Sequence, residues 1–129
     1  MAIQLDHLII PVPDRVAAAR QLGELLGVPW EAQGTAGPFS PVYVSEALTI
    51  DFDTAEGEHP VMHFAFHVDD AAFDAILGRI TAAGIPFRGN PHGPNDMKVN
   101  TAHGGRIAYW EAPGGHVWEI LTKSYARKA

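Results

Sequence analysis

The stretch Leu5-Asp6-His7-Leu8-Ile9-Ile10-Pro11-Val12-Pro13-Asp14 returns later in the chain as Val61-Met62-His63-Phe64-Ala65-Phe66-His67-Val68-Asp69-Asp70. Each copy reads as a strand followed by an acidic helix cap. Each is then followed by a helical pattern that closes on a similar tetrapeptide, Gly27-Val28-Pro29-Trp30 in the first case and Gly84-Ile85-Pro86-Phe87 in the second. His7 lies twenty residues before Gly27 and His63 twenty-one before Gly84, so the two histidines hold equivalent positions in an internal repeat. Two copies of one unit predict a site shared by matching strands.

Outward from the first copy, Gln4 to Val12 predicts a strand and Asp14 a helix N-cap. Val16, Ala19, Leu22, Leu25 and Leu26 fall on one helical face, and Gly27 is the natural stop. Gln33 to Pro41 is a Gly/Pro-rich loop, after which Val42 to Val44 and Ala47 to Asp53 read as strands around a turn. From the second copy, Val61 to Val68 predicts a strand, Asp69 or Asp70 a cap, and Phe73, Ile76, Leu77 and Ile80 an inward helical face. Strands at Pro86 to Gly89, Gly105 to Glu111 and His116 to Thr122 follow, interrupted by a long loop from Asn90 to Gly104. The fold class is α+β: two tandem β-α-β-β-β modules, residues 1–55 and 56–129, within one domain.

Composition narrows the function. At 129 residues and 47% hydrophobic, the chain can bury a core without staples. It has no cysteine, so any bound metal is held by nitrogen and oxygen, and disulfides and thiolate nucleophiles are excluded. Net charge is −6, and the basic residues are scattered apart from Lys123, Arg127 and Lys128, read as a solvated tail. Nucleic acid is therefore not an expected partner. No basic leader pattern and no apolar run near the roughly 20 residues of a membrane span is visible, which leads to the expectation of a cytoplasmic protein with no membrane contact.

Strand alternation assigns faces. Met62, Phe64 and Phe66 take one face and leave His63, Ala65 and His67 on the other; Leu48, Ile50 and Phe52 leave Thr49, Asp51 and Asp53; Trp118 and Ile120 leave Glu119. The histidines and carboxylates are thus expected on the uncovered face. His7, His63 and Glu119 form a two-histidine, one-carboxylate set suited to a divalent cation with positions left open for water or substrate. Any one of the three alone reads best as an ordinary strand residue, and it is their registration in the repeat that points to a metal. Asp51 occupies the place in module one that Glu119 has in module two, as a fourth ligand, an outer partner or a general base. His103, Arg106 and Tyr109, in or just after the long loop, are candidates for an acid/base, an anion clamp and a phenol donor. His67 reads as a rim residue, His59 and His92 as solvated, and His116 as packing or capping. Trp30, Phe39, Tyr43, Trp110 and Trp118 read as core or subunit contacts, with Trp30 and Phe39 also able to line an apolar pocket.

Leu5-Asp6-His7-Leu8, Met62-His63-Phe64-Ala65-Phe66 and the run from Tyr109 to Glu119, Tyr-Trp-Glu-Ala-Pro-Gly-Gly-His-Val-Trp-Glu, resemble the vicinal oxygen chelate superfamily, the glyoxalase, bleomycin-resistance and extradiol-dioxygenase group. The resemblance spans nearly the whole chain. It implies a curved mixed sheet with helices on the outer face, commonly in a homodimer, with His7, His63 and Glu119 as ligands of a divalent iron, manganese, nickel, cobalt or zinc ion. It further implies a small-molecule substrate whose adjacent oxygens chelate the metal, in dioxygenase-like or glyoxalase-like chemistry. Within the group, the run to Glu119 is similar to the ring-cleaving dioxygenase signature, although Ala108 replaces a larger apolar residue and His103 is one residue out of spacing. Glyoxalase I has an arginine where Pro11 stands, and fosfomycin-resistance transferases a hydroxyl residue where Ile9 stands. A non-catalytic, ligand-sequestering protein of the bleomycin-resistance type is the alternative.

Overall fold

The structure is a computed structural model that describes residues 2–35 and 37–127; Ala36 of the first loop and Lys128 of the basic tail lie outside the described residues. The chain divides into two compact units, Met1–Pro60 and Val61–Ala129. Each carries one helix and one three-stranded mixed sheet. The α+β class read from the repeat is the observed one.

In the first unit, strand β1 spans His7–Val12, helix α1 Arg15–Leu26, β2 Ser40–Tyr43 and β3 Thr49–Thr54. Alternation along β1 buries Ile10 and Val12 and exposes His7 and Ile9. Asp14 caps α1 as its composition demands, its carboxylate accepting from the backbone N–H of Val16 and Ala17, which would otherwise have no partner in the first turn. Gly27 ends the helix with φ 72°, a left-handed geometry in which a side chain would be strained. The buried face of α1 is Ala18, Ala19, Leu22, Gly23 and Leu25. Val16 and Leu26, predicted inward, are only half-buried. Gly23 takes a place on this face because Trp30 lies against it: a Cβ there would stand 2.7 Å from Trp30 Cδ1.

In the second unit, β4 spans His63–His67, α2 Asp70–Ala82, β5 Ile107–Glu111 and β6 Val117–Leu121. Asp69 is the cap of α2, accepting from Ala72 N–H, and Phe73, Ile76 and Ile80 are its buried residues. Trp110, Trp118 and Ile120 are buried with them, while Ile107, Tyr109 and Leu121 form a separate buried cluster against which Val117 packs. Five of the strands begin later than the alternation suggested, at His7, Thr49, His63, Ile107 and Val117, because the preceding residues make no continuous ladder. The strand predicted at Pro86 to Gly89 is reduced to a single bridge between Arg88 and Tyr109, matched in the first unit by a bridge between Trp30 and Val42.

The repeat is exact at the level of register. In one sheet the order is β1-β3-β2 and in the other β4-β6-β5, the outer pairs being parallel and antiparallel in the same sequence. Asp51 is flanked by Ile9 and Pro41, and Glu119 by Ala65 and Tyr109. Because Ile9 follows His7 by two and Ala65 follows His63 by two, each histidine shares a strand face with the position beside its unit's carboxylate. That register places His63 within reach of Glu119.

Candidate functional site

Glu119 is on β6, the central strand of its sheet, and its side chain is 0% exposed. The expectation of an uncovered face fails here. His63 lies on one side, its Nε2 2.7 Å from Glu119 Oε1, and the imidazole itself remains 43% exposed. The second cover is Tyr125, whose hydroxyl lies 2.8 Å from Oε1 and 2.6 Å from Oε2 and donates to the carboxylate. Tyr109, beside Glu119 across the antiparallel pair, brings its own hydroxyl to 3.3 Å from that of Tyr125 and its ring to 5.6 Å from the His63 ring. The His103 ring lies beside that of Tyr125, tilted by 39° with centroids 5.5 Å apart. Side chains from β4, β5 and the C-terminal segment thus meet around the buried carboxylate of β6, with His103 of the long loop beside Tyr125.

The electrostatics follow from that burial. An ionised carboxylate out of water needs charge-assisted hydrogen bonds or a cation, and Glu119 has the His63 imidazole and the Tyr125 hydroxyl against it. Burial is the main force pushing the Tyr125 phenol up, and donation to Glu119 pushes it further in the same direction. Tyr109 is also pushed up, chiefly by burial, while its bond with Tyr125 pulls the other way. Both phenols are therefore held neutral as donors beside the carboxylate.

His7 and Asp51 sit in the first unit. They line a cleft of about 250 Å³ together with Asp6, Tyr43 and Thr49, beneath Gly34, Thr35 and Pro41 of the Gly/Pro-rich segment. His7 is 58% exposed, and its Nδ1 lies 2.8 Å from Asp6 Oδ2; donation from Nδ1 to that carboxylate leaves Nε2 as the free nitrogen. Tyr43 turns its hydroxyl to Glu31 at 3.0 Å, and its ionisation is pushed up by burial first and by Glu31 next, with Asp51 adding to it. The structure thus brings together His63, Glu119 and Tyr109, sets His103 beside them through Tyr125, and places His7 and Asp51 on one cleft. Among the described residues, no three His, Asp or Glu side chains gather in a group that would hold a metal ion.

Other candidates take structural posts. Arg106, a possible anion clamp in the sequence, is spent on Asp70 and Asp74 at 2.9 and 2.6 Å and lies 4.3 Å over the Phe73 ring, so it fastens the start of β5 to α2. His116 is fully buried and accepts from Met62 N–H at Nδ1, which fits the packing and capping role. His67 is exposed and bonds the Thr122 carbonyl. Trp110 and Trp118 belong to the core as expected, whereas Trp30, Phe39 and Tyr43 are only partly buried. The residue sequence reasoning missed is Tyr125. It stands between the basic residues read as a solvated tail, and a lone aromatic among Lys, Ser and Arg after the last strand is a signal of a return to the surface of the sheet.

No protein-family model and no curated protein matches the chain. Solved structures do. The chain is 36% identical to "Oxidase ChaP-H2", covering 100% of both chains with a TM-score of 0.90. It is 39% identical to "Oxidase ChaP-H1", over 98% of this chain and 100% of that one, with a TM-score of 0.87. A glyoxalase/dioxygenase from Nostoc punctiforme, 20% identical over 94% of this chain and 91% of its own, shares the fold at a TM-score of 0.70. The chain belongs to the vicinal oxygen chelate superfamily. The two-unit repeat is the superfamily's α+β architecture, and among the described residues of this member no helix is long and apolar enough to cross a membrane.

The donor chemistry of this vicinal oxygen chelate protein suits a divalent cation. Imidazole nitrogen and carboxylate oxygen are borderline ligands accepted by iron, manganese, nickel, cobalt and zinc alike. Glu119 is buried among hydrogen-bond donors, and a cation beside it would offset the cost of keeping the carboxylate ionised.

Proposed function

We propose that this chain is a metal-dependent enzyme acting on a small oxygenated molecule, with His7, His63 and Glu119 as the ligands. The reading rests above all on the fully buried Glu119 held at 2.7 Å from His63. When bound, the divalent ion would supply Lewis acidity toward adjacent substrate oxygens, or toward dioxygen if it is ferrous iron. The two relatives at 36% and 39% identity are both named oxidases, which favours dioxygenase-like over glyoxalase-like chemistry.

The chain's own groups have roles to match. Tyr109 keeps its proton and stabilises negative charge on the carboxylate side of the site, as Tyr125 does while no metal is bound. Tyr109 is the phenol donor toward substrate. Asp51, in the cleft with His7, and His103, exposed beside Tyr125, are the general base and acid. The cleft accommodates a small molecule. The protein acts in the cytoplasm as a homodimer, a reading supported by its lack of cysteine and by exposed Ile3, Leu5 and Ile9, which follow the same alternation as His7.

Elemental analysis tests this on untagged protein purified without chelators. Near-stoichiometric metal in the wild type that disappears in His63→Ala is the expected outcome. Wild-type protein that stays empty after incubation with iron, manganese, nickel, cobalt and zinc at neutral pH refutes the enzyme reading and leaves ligand sequestration in its place.

A further inference from the structure

We propose that Tyr125 is a displaceable plug on Glu119: its hydroxyl holds the carboxylate edge that a divalent cation would take, and the C-terminal segment swings away when the cation is taken up. The proposal rests on the metal-binding reading above. It goes beyond that reading in giving Tyr125 and the segment after β6 a part in the site.

The geometry is specific. A hydroxyl at 2.8 Å from one carboxylate oxygen and 2.6 Å from the other sits astride both, so its proton is shared between them. A cation held by this carboxylate would need the sector in front of its oxygens that the hydroxyl fills. The two occupants exclude each other.

The segment's course is built by the sequence. Thr122 is pinned at the end of β6: its N–H donates to the Arg106 carbonyl and its Oγ1 accepts from Arg106 N–H at 2.8 Å. The chain then passes so close to Gly105 that a Cβ at that glycine would stand 2.7 Å from both Lys123 Cβ and Thr122 Oγ1. That approach lets the chain turn within three residues and bring Tyr125 back over Glu119, where His103 flanks it. Beyond Thr122 the restraints thin out. Lys123 to Arg127 are all exposed, and Tyr125 itself is 46% exposed. A firm anchor followed by an exposed segment whose tyrosine is held through its hydroxyl is what a swinging segment requires.

Two measurements on the full chain test this, with zinc as the probe. Isothermal titration of wild type and Tyr125→Phe should show the variant binding zinc about tenfold tighter, since one hydrogen bond to a charged group no longer has to be broken. Limited trypsin digestion of wild type should show faster cleavage after Lys123 when zinc is added, with no such acceleration in His63→Ala. If the wild type binds zinc but Tyr125→Phe binds equally or more weakly, Tyr125 is at most a positioning partner and the plug is overturned while the metal reading stands. Slower cleavage after Lys123 with zinc overturns it equally. If neither protein binds zinc, iron or manganese, the metal reading fails and the plug with it.

Discussion

At Glu119 the chain keeps a carboxylate at 0% exposure with an imidazole and a phenol as its partners, an arrangement that does little for stability and much for binding. The variant Glu119→Gln retains the shape and removes the charge. Its thermal midpoint in calorimetry should be unchanged, or raised by an amount corresponding to about 1 kcal/mol, while its metal content falls to background. All three tyrosines of the chain ionise above the ordinary value of 10.0, each mainly through burial. A folded-state pKa raised above the unfolded one means that the folded protein holds its phenol protons more tightly. The associated stability is complete below pH 10 and declines as pH rises beyond it. Tyrosinate absorbance should therefore appear at higher pH in the native protein than in urea, and urea midpoints should drop above pH 10; coincident native and unfolded titrations would contradict this. His7, His63, Asp51 and Glu119 were legible because the repeat registers them. Tyr125 was not, since its approach depends on a turn after β6 and on the clearance at Gly105, neither of which leaves a periodic trace.

Among the elements, the long loop from Asn90 to Gly104 shows best how one side chain organises many. Arg88, 5% exposed, donates to the carbonyls of Asn90 and Pro91 and to Asn95 Oδ1, and stands 3.7 Å from Glu111. Met97 N–H bonds the Phe87 carbonyl, and Asn100 bridges both to Gly89 and to Ile107. The loop is thus tied to the segment before it and to β5. Arg88→Ala leaves at least three acceptors unpaired, and we expect a loss of about 3 kcal/mol in urea unfolding, with new proteolytic cleavage confined to residues 90–104. Arg88→Lys should recover only part, because an ammonium cannot reproduce the planar fork. The sequence marked this stretch as a loop through its Asn, Pro and Gly content. Its anchor was hidden, because a buried arginine has the same letter as a solvated one, and the strand expected around it shrank to one bridge once its polar groups turned to the loop.

For the whole molecule, the repeat is the controlling fact. Two units of one topology, with registers that match residue for residue, hold His7 near Asp51 in one and His63 near Glu119 in the other. The proposed homodimer predicts that sedimentation equilibrium gives twice the 13.9 kDa chain mass at micromolar concentration; a single 13.9 kDa species would count against it. The sequence by itself determined the α+β class, both helices with their aspartate caps, the alternation of the strands and the equivalence of the two histidines. These are local or periodic properties, written in the spacing of apolar residues and in the backbone needs of helix ends. Only the tertiary structure decided that Glu119 is buried rather than open, that Arg106 and Arg88 are fasteners, and that Tyr125 covers the carboxylate. Burial and partnership depend on residues far apart in the chain meeting at distances of a few ångströms, and no one-dimensional pattern encodes where a chain turns back on itself.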